Sequence, residues 1–372
     1  MRTIIICHNY LDESFASMSY HLANYLSENG DRVVFISKKP YFEQIQHVKK
    51  KNGELILCSW PSKVKSTSLR DFLWFLEIYK KYRPSFVIGH HNGSITSIIA
   101  SKILSLGKVK TLEYSHTCTD QYIADKNGLS FRLRLFLWRR LLFFHLFCDR
   151  VICPSQYAKE DLESYFGYSK GRVILNPLTD RNQGEKLKKE SENILISYLG
   201  RLDPTKNVLE LIQAFEHYLK QKPDSRIRLR IAGKGILEKE VQAQVAGNPL
   251  IDYVGYLSYD KIDQYMAESQ FVIVPSKFDN LPTVSLESLM NGIPVLITET
   301  SGTSHYLNHG VDSFIFKHDV DTMVELFSKV EQCTGEDLDK MSTEARSTFL
   351  RLFKIEGYIK AMEETFQEVS AP

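Results

Sequence analysis

Two cations and two carboxylates in the second half of the chain stand on stretches that follow strand-like runs. Arg201 and Lys206 share the loop Gly200-Arg201-Leu202-Asp203-Pro204-Thr205-Lys206-Asn207. Together they bring the charge and the hydrogen-bond donors that a diphosphate needs, and Gly200 lets a ligand approach the backbone. Asp279 and Glu287 belong to Pro275-Ser276-Lys277-Phe278-Asp279-Asn280-Leu281-Pro282-Thr283-Val284-Ser285-Leu286-Glu287. One falls in a loop and the other in the helix that follows, so they can serve two hydroxyl-bearing parts of one ligand. Pro282 is expected in the first turn of that helix. The amide of Thr283 and the helix dipole then offer an anion site. Gly233, in Ala232-Gly233-Lys234-Gly235, makes a G-x-G turn, but Lys239 follows Glu238 where the third glycine of a dinucleotide fingerprint is expected. Taken one at a time, these groups also read as a solvated basic loop, a tight turn and unrelated acids. The small-residue turn Thr300 to His305 is a fourth, weaker group. Asp319-Val320-Asp321 has the D-x-D spacing of a cation site, yet it sits where a helix should start, which suits an N-cap and a first-turn acid.

These residues need elements to hold them. The chain has 372 residues, 43% hydrophobic and 25% charged, which suits two soluble domains. Short β-branched runs alternate with helical spacing: Ile4 to Ile6, Val33 to Ile36, Leu55 to Leu57, Phe86 to Ile88, Val109 to Glu113, Val151 to Cys153 and Val173 to Leu175. Asn176-Pro177 breaks the rhythm, and Asp180 to Glu192 is polar and lysine-rich, as a linker is. The alternation restarts at Ile194 to Ile196 and continues through Ile227 to Ile231, Ile251 to Val254, Phe271 to Val274, Pro294 to Ile297 and Ser313 to Phe316, with a helix expected at Ile236 to Val245. Strands alternating with helices predict two doubly wound α/β domains with parallel sheets, the first over 1–178, the second over 192–351, joined by 179–191. Ligands of such sheets bind beyond the carboxyl ends of the strands.

A formal net charge of +2 gives no global reason for nucleic-acid binding. The six cysteines form no C-x-x-C pair and several lie in apolar runs, which fits a reducing cytoplasm and argues against zinc. Residues 131–144, Phe-Arg-Leu-Arg-Leu-Phe-Leu-Trp-Arg-Arg-Leu-Leu-Phe-Phe, carry four arginines, too many for a membrane span. Two readings remain open there: a core helix with solvated arginines, or a basic helix lying on the inner face of an anionic membrane.

The strings G-R-L-D-P-T-K-N, A-G-K-G, D-Y-V-G-Y-L and P-S-K-F-D-N-L-P-T-V-S-L-E-S-L-M-N-G-I-P-V-L, in this order over about Asn193 to Lys317, resemble the retaining glycosyltransferase family 4. The resemblance implies a GT-B fold: two Rossmann-like doubly wound domains facing a central cleft, with final helices at about 352–372 packing back on the first. It implies transfer of a sugar, with retention and without metal or other cofactor, from a nucleotide diphosphate sugar (UDP- or GDP-linked) to a glycan or lipid-linked acceptor, as in polysaccharide biosynthesis. By this resemblance Arg201 and Lys206 bind the diphosphate, Glu287 holds the ribose, Asp279 meets the donor sugar, and Thr283 lends an amide to the phosphate. Leu281, Gly200 and Gly233 complete the nucleotide site, and Tyr256 and Leu257 lie near the base. Asp279 departs from the family's usual glutamate and reaches one methylene less. His116, in Glu113-Tyr114-Ser115-His116, matches a histidine placed beside the reacting sugar, with a structural role as its alternative. His90 and His91 are further candidates. The family's glycine-rich loop after the first strand is replaced by His8 to Met18. Rival expectations are another enzyme on this fold, such as a nucleotide-sugar epimerase or a phosphorylase, and a catalytically silent sugar-nucleotide binding subunit.

Overall fold

The computed structural model describes residues 1–8, 17–37, 42–62, 67–90, 95–125, 130–182 and 192–371. The chain divides into two compact units, Met1–Leu178 with Ile355–Pro372, and Thr179–Lys354.

The first unit holds strands β1 (Thr3–Cys7), β2 (Arg32–Ser37), β3 (Gln46–Lys49), β4 (Glu54–Ser59), β5 (Phe86–His90), β6 (Lys110–Tyr114), β7 (Arg150–Cys153) and β8 (Gly171–Val173). They form one sheet in the order β3-β4-β2-β1-β5-β6-β7-β8, parallel except for the β3–β4 pair. Strand β3 was not expected. Its residues Gln46-His47-Val48-Lys49 are all exposed, so it lacks the apolar alternation that announces a strand, and it is a short, charged edge of the kind that discourages further pairing. The last strand falls at Gly171–Val173 rather than Val173 to Leu175. Central strands such as Ile4-Ile5-Ile6 are buried on both faces, because helices cover both sides of a parallel sheet.

The Ile355–Ser370 helix belongs to this unit. Its Tyr358, Met362 and Phe366 are buried with Ile4, Ile6, Phe86 and Tyr114, and the Tyr358 and Tyr114 hydroxyls are hydrogen-bonded at 2.8 Å. Arg172 pairs with Glu364 at 2.9 Å and also with Glu368 on the helix's outer face.

In the second unit, β9 (Ile194–Leu199), β10 (Ile227–Ala232), β11 (Ile251–Gly255), β12 (Phe271–Val274), β13 (Val295–Thr298) and β14 (Ser313–Phe316) form a parallel sheet ordered β11-β10-β9-β12-β13-β14. The helix expected from Ile236 begins at Glu238. Thr179 to Asn182, the described part of the expected linker, lies in this unit.

Among the described residues no helix is long and apolar enough to cross a membrane. The Phe131–Phe147 helix has the buried side expected of a core helix and an exposed apolar side as well. Leu133, Phe143 and Phe144 are buried, and Arg140 lies over the rings of Tyr122, Phe144 and Phe166. Phe131 (81% exposed), Leu135, Trp138 (56%) and Leu146 line the opposite side, at the spacing of one helical face, and Arg132, Arg134 and Arg139 are exposed beside them.

Candidate functional site

Because every strand of the second sheet is parallel, the loops singled out above leave the same edge, and β10, β9 and β12 are neighbours there. The loop after β9 packs directly on the turn after β10. Gly200 N–H donates to the Ala232 carbonyl at 3.1 Å, and Leu202 N–H to the Lys234 carbonyl at 3.0 Å. A Cβ on Gly233 would stand 1.8 Å from the Gly200 oxygen, and one on Gly235 would stand 2.2 Å from the Leu202 oxygen. The φ of Gly233 is +145°. The close approach that Gly233 and Gly235 permit is therefore between two loops of the protein, whatever either loop then binds.

The Lys206 backbone is fixed by its turn. Asp203 caps Pro204–Lys206 by accepting from Thr205 N–H at 3.0 Å, and Asn207, buried at φ 61°, ends the turn with its side-chain amide donating to the His318 carbonyl at 2.7 Å. The loop after β12 joins it: Lys277 N–H donates to the Thr205 carbonyl at 2.9 Å. Asp279 is held on its other side, where its carbonyl accepts from Gly302 N–H at 2.8 Å and its backbone bridges to Ser301. The fourth, small-residue turn thus serves as a support for Asp279. These constraints bring Lys206 Nζ onto the Asp279 carboxylate, and both side chains are mostly buried. Cation and carboxylate, expected to meet different parts of a ligand, are paired with each other. Arg201, with its side chain 62% exposed, pairs among the described residues with Asp203, at 3.2 Å.

Pro282 stands at the N-cap of the Thr283–Met290 helix, one place before the expected first turn, and no side chain caps the helix. Thr283 opens it, and Thr283 and Leu281 are half-buried. Tyr256 is exposed, with Lys234 Nζ 4.0 Å from its ring centre. Leu257 packs against the buried group Ala232, Tyr265, Met266, Val272 and Ile293.

Glu287 is only 4% exposed. Burial pushes its carboxyl up to about 7, opposed by the Arg181 guanidinium and reinforced by the Asp263 carboxylate. Arg181 and Asp263 were not anticipated. They lie 82 positions apart, outside any motif, and nothing in their local spacing signals the contact.

At the carboxyl edge of the first sheet, His8, His90 and His116 follow or end the neighbouring strands β1, β5 and β6. Their ring nitrogens fall within 4.8 Å of one another, the one such cluster of metal-ligating side chains among the described residues. His8 and His90 are stacked, 4.1 Å apart at 16°, and His90 stacks on Tyr114 at 4.0 Å. His90 Nδ1 and His116 Nε2 share a hydrogen bond of 3.0 Å. A metal ion lies close to the plane of each imidazole that binds it; the His8 and His90 rings, 4.1 Å apart and 16° from parallel, aim poorly at one ion, and His90 and His116 already share a hydrogen bond. His8 Nδ1 is bonded to Ser19 Oγ at 2.5 Å, a role the sequence did not suggest. His91, and 9–16 of the loop that replaces the glycine-rich one, lie outside the described residues. Asp319 accepts from Thr322 N–H at 2.9 Å and so caps its helix.

Two families match the chain in sequence order: "Glycosyltransferase Family 4" over residues 16–179 and "Glycosyl transferases group 1" over residues 179–348. An uncharacterized glycosyltransferase of Methanocaldococcus jannaschii is 25% identical over 60% of this chain and 60% of its own length. A capsular polysaccharide biosynthesis glycosyltransferase of Staphylococcus aureus is 23% identical over 78% of this chain and 77% of its own. The alignments span 60% and 61% of the first two relatives, less than two thirds of either. Among solved structures, sucrose-phosphate synthase from Thermosynechococcus elongatus superposes with a TM-score of 0.76 at 14% identity over 99% of both chains. The Anabaena protein HepE in complex with UDP gives 0.72 at 15% identity, over 99% of this chain and 100% of its own. At such identities the likeness carries the fold.

Proposed function

We propose that the chain, whose two halves match glycosyltransferase family models and which shares the fold of sucrose-phosphate synthase, moves a sugar, with retention of configuration, from a nucleotide diphosphate sugar to a hydroxyl of a glycan or lipid-linked acceptor. The observation that carries this reading is the pairing of Lys206 with Asp279 on two interlocked loops beside the exposed Arg201. A cation already fixed by its fold needs little reorganisation to meet charge that develops on a leaving group. Lys206 and Arg201 bind the diphosphate, and Lys206 exchanges part of its contact with Asp279 for phosphate oxygens. Asp279, so released, accepts from hydroxyls of the donor sugar. The Thr283 amide meets the phosphate, Glu287 takes the ribose hydroxyls, and Tyr256 and Leu257 flank the base. Leu281 and the Gly200 and Gly233 backbone wall the nucleotide. His116 donates to the donor sugar. The acceptor hydroxyl attacks from the face the diphosphate leaves, and a phosphate oxygen takes its proton. Two cations meet the diphosphate without a metal ion. UDP- and GDP-sugars are the donors to try first, and HepE was crystallised with UDP.

The test is incubation with a panel of UDP- and GDP-sugars and simple glycan or lipid acceptors, with chelator present, followed by proton NMR of the new anomeric centre. A product with the donor's anomeric configuration is expected. An inverted product, or conversion of the donor sugar with no acceptor present, would contradict the reading.

The exposed Phe131, Leu135, Trp138 and Leu146 with their neighbouring arginines support a second element of the proposal: this helix rests on an anionic membrane surface, where a lipid-linked acceptor is found. Apolar residues enter the headgroup layer while the arginines meet lipid phosphates. Sedimentation with phosphatidylglycerol-rich vesicles at low salt should carry the protein down, and Trp138→Ser with Phe131→Ser should leave it in solution. Equal sedimentation of both proteins, or of neither, would remove this element.

A further inference from the structure

The residues Asp180-Arg181-Asn182 are stitched to the helix that carries Glu287. Asp180 forms two bonds with the Arg346 guanidinium, at 2.9 and 2.7 Å. Arg346 and the Asn182 amide both donate to the carbonyl of Met290, the helix's last residue, at 2.8 and 3.2 Å. Between them Arg181 turns inward. Its Nε and Nη2 donate to the two oxygens of Asp263 at 2.7 and 2.9 Å. Its Nη1 donates to the Tyr259 hydroxyl at 2.5 Å, and its centre lies 4.8 Å from the Tyr259 ring. Its Nη2 also stands 3.7 Å from Glu287 Oε1. Among the described residues no other cation comes within ion-pair reach of Glu287.

Arg181 therefore spends its hydrogen bonds on Asp263 and Tyr259 and offers Glu287 charge at a distance. That division has a chemical use. An ionised carboxylate only accepts and can take both protons of a vicinal diol, whereas a protonated one presents a donor of its own. Burial works against the ionised form, and a bidentate partner would occupy both oxygens. A cation held a few tenths of an ångström beyond hydrogen-bond distance favours ionisation and keeps the oxygens available. Asn291 adds to the frame, donating to Asp263 at 3.2 Å and to the Glu287 carbonyl at 2.9 Å.

We propose that Arg181, seated on Asp263, is a positioning residue for the donor nucleotide: it favours the ionised form of the Glu287 carboxylate and leaves its oxygens presented to a pair of adjacent ribose hydroxyls. The proposal rests on the donor reading above. The charged and titratable groups around Glu287 are Arg181 from the connecting segment, Asp263 from the Ile262–Ala267 helix, Tyr259 from the turn before it, and the Arg346–Asp180 pair at the end of its own helix.

The experiment follows the Glu287 side chain directly, by carboxyl 13C NMR titration of the full chain without ligand, the signal being assigned by its loss in Glu287→Gln. Binding of UDP and GDP is measured by calorimetry from pH 6 to pH 8.5 on the same proteins. In Arg181→Met the Glu287 midpoint should rise by about one unit, and affinity at pH 7 should fall about fivefold, recovering as pH rises past the new midpoint. Arg181→Lys should restore much of both. Asp263→Asn has the opposite sign, because removing a like charge lowers the Glu287 midpoint, and it serves as the informative variant if Arg181→Met does not fold. An unchanged midpoint in folded Arg181→Met, or an affinity loss equal at every pH, would overturn the proposal. Midpoints that move as stated while wild-type protein binds neither UDP nor GDP would overturn the donor reading, and the nucleotide role with it, and leave the charge coupling in place.

Discussion

The carboxyl edges of the two sheets differ in how they hold polar groups. In the second unit the charged residues sit on loops that bond to one another through the backbone: Leu202 to Lys234, Thr205 to Lys277, Asp279 to Gly302. Each cation or carboxylate has a partner of opposite sign close by. In the first unit the corresponding edge carries stacked rings, His8 on His90 on Tyr114, with His116 bonded to His90. The comparison suggests a division of labour. Fixed opposite charges suit a ligand of constant, high negative charge, whereas histidines that share a proton suit groups that donate or accept one hydrogen bond at a time.

On that division the largest effects come from the second unit. Lys206→Ala should lower kcat/KM about a thousandfold and weaken UDP or GDP binding, because it removes a preorganised cation and leaves Asp279 unpaired; steady-state kinetics and calorimetry read both. Gly233→Ala should cost about 3 kcal/mol in thermal or urea unfolding, since its Cβ would meet the Gly200 oxygen at 1.8 Å in a left-handed conformation. Gly310→Ala is the control, at φ +78° with open space around it, and should cost only about 1 kcal/mol.

Glu287→Gln should separate binding from stability. The folded state holds this carboxyl near 7, above its ordinary 4.5. The unfolded chain therefore ionises it first, and the native protein loses stability as pH rises from about 4.5 to 7, then no further. The amide has no such penalty, so above pH 7 the variant should be more stable by about 2–3 kcal/mol while binding nucleotide more weakly. Equal stabilities at pH 5 and pH 8 would contradict the sign. The smallest effect belongs to the first unit: His116→Ala should reduce kcat about tenfold and leave UDP or GDP affinity unchanged. A larger loss in affinity than in kcat would break the proposed division.

The second unit was more legible than the first for a physical reason. In Gly200 to Asn207 and in Pro275 to Glu287 the loop that must turn, the charged groups and the helix that follows are contiguous, so the candidate site shows as a run of residues. The strands behind them are continuous apolar runs and were found to within a few residues. What escaped depends on contacts between distant positions. Arg181 reads as one more charge in a polar segment until Asp263 and Tyr259 are brought to it. His8 reads as the end of a strand until β5 sets His90 against it. Strand β3 escaped because an exposed edge needs no apolar pattern. The Asp279 side chain was legible as a carboxylate, but its pairing with Lys206 was not, since two loops had to interlock first.

The central claim is that the second unit's loops bind a nucleotide diphosphate through Arg201 and Lys206 without a metal ion. The most direct measurement is a thermal-shift series of wild-type, Arg201→Ala and Lys206→Ala proteins against UDP, GDP and ADP, with and without EDTA. At a hundredfold excess over its dissociation constant a ligand of the native state adds about 2.7 kcal/mol of apparent stability. The expected result is a chelator-insensitive shift with one nucleotide in the wild type, lost in both variants. A shift that EDTA abolishes, or one that survives in both variants, would contradict the claim.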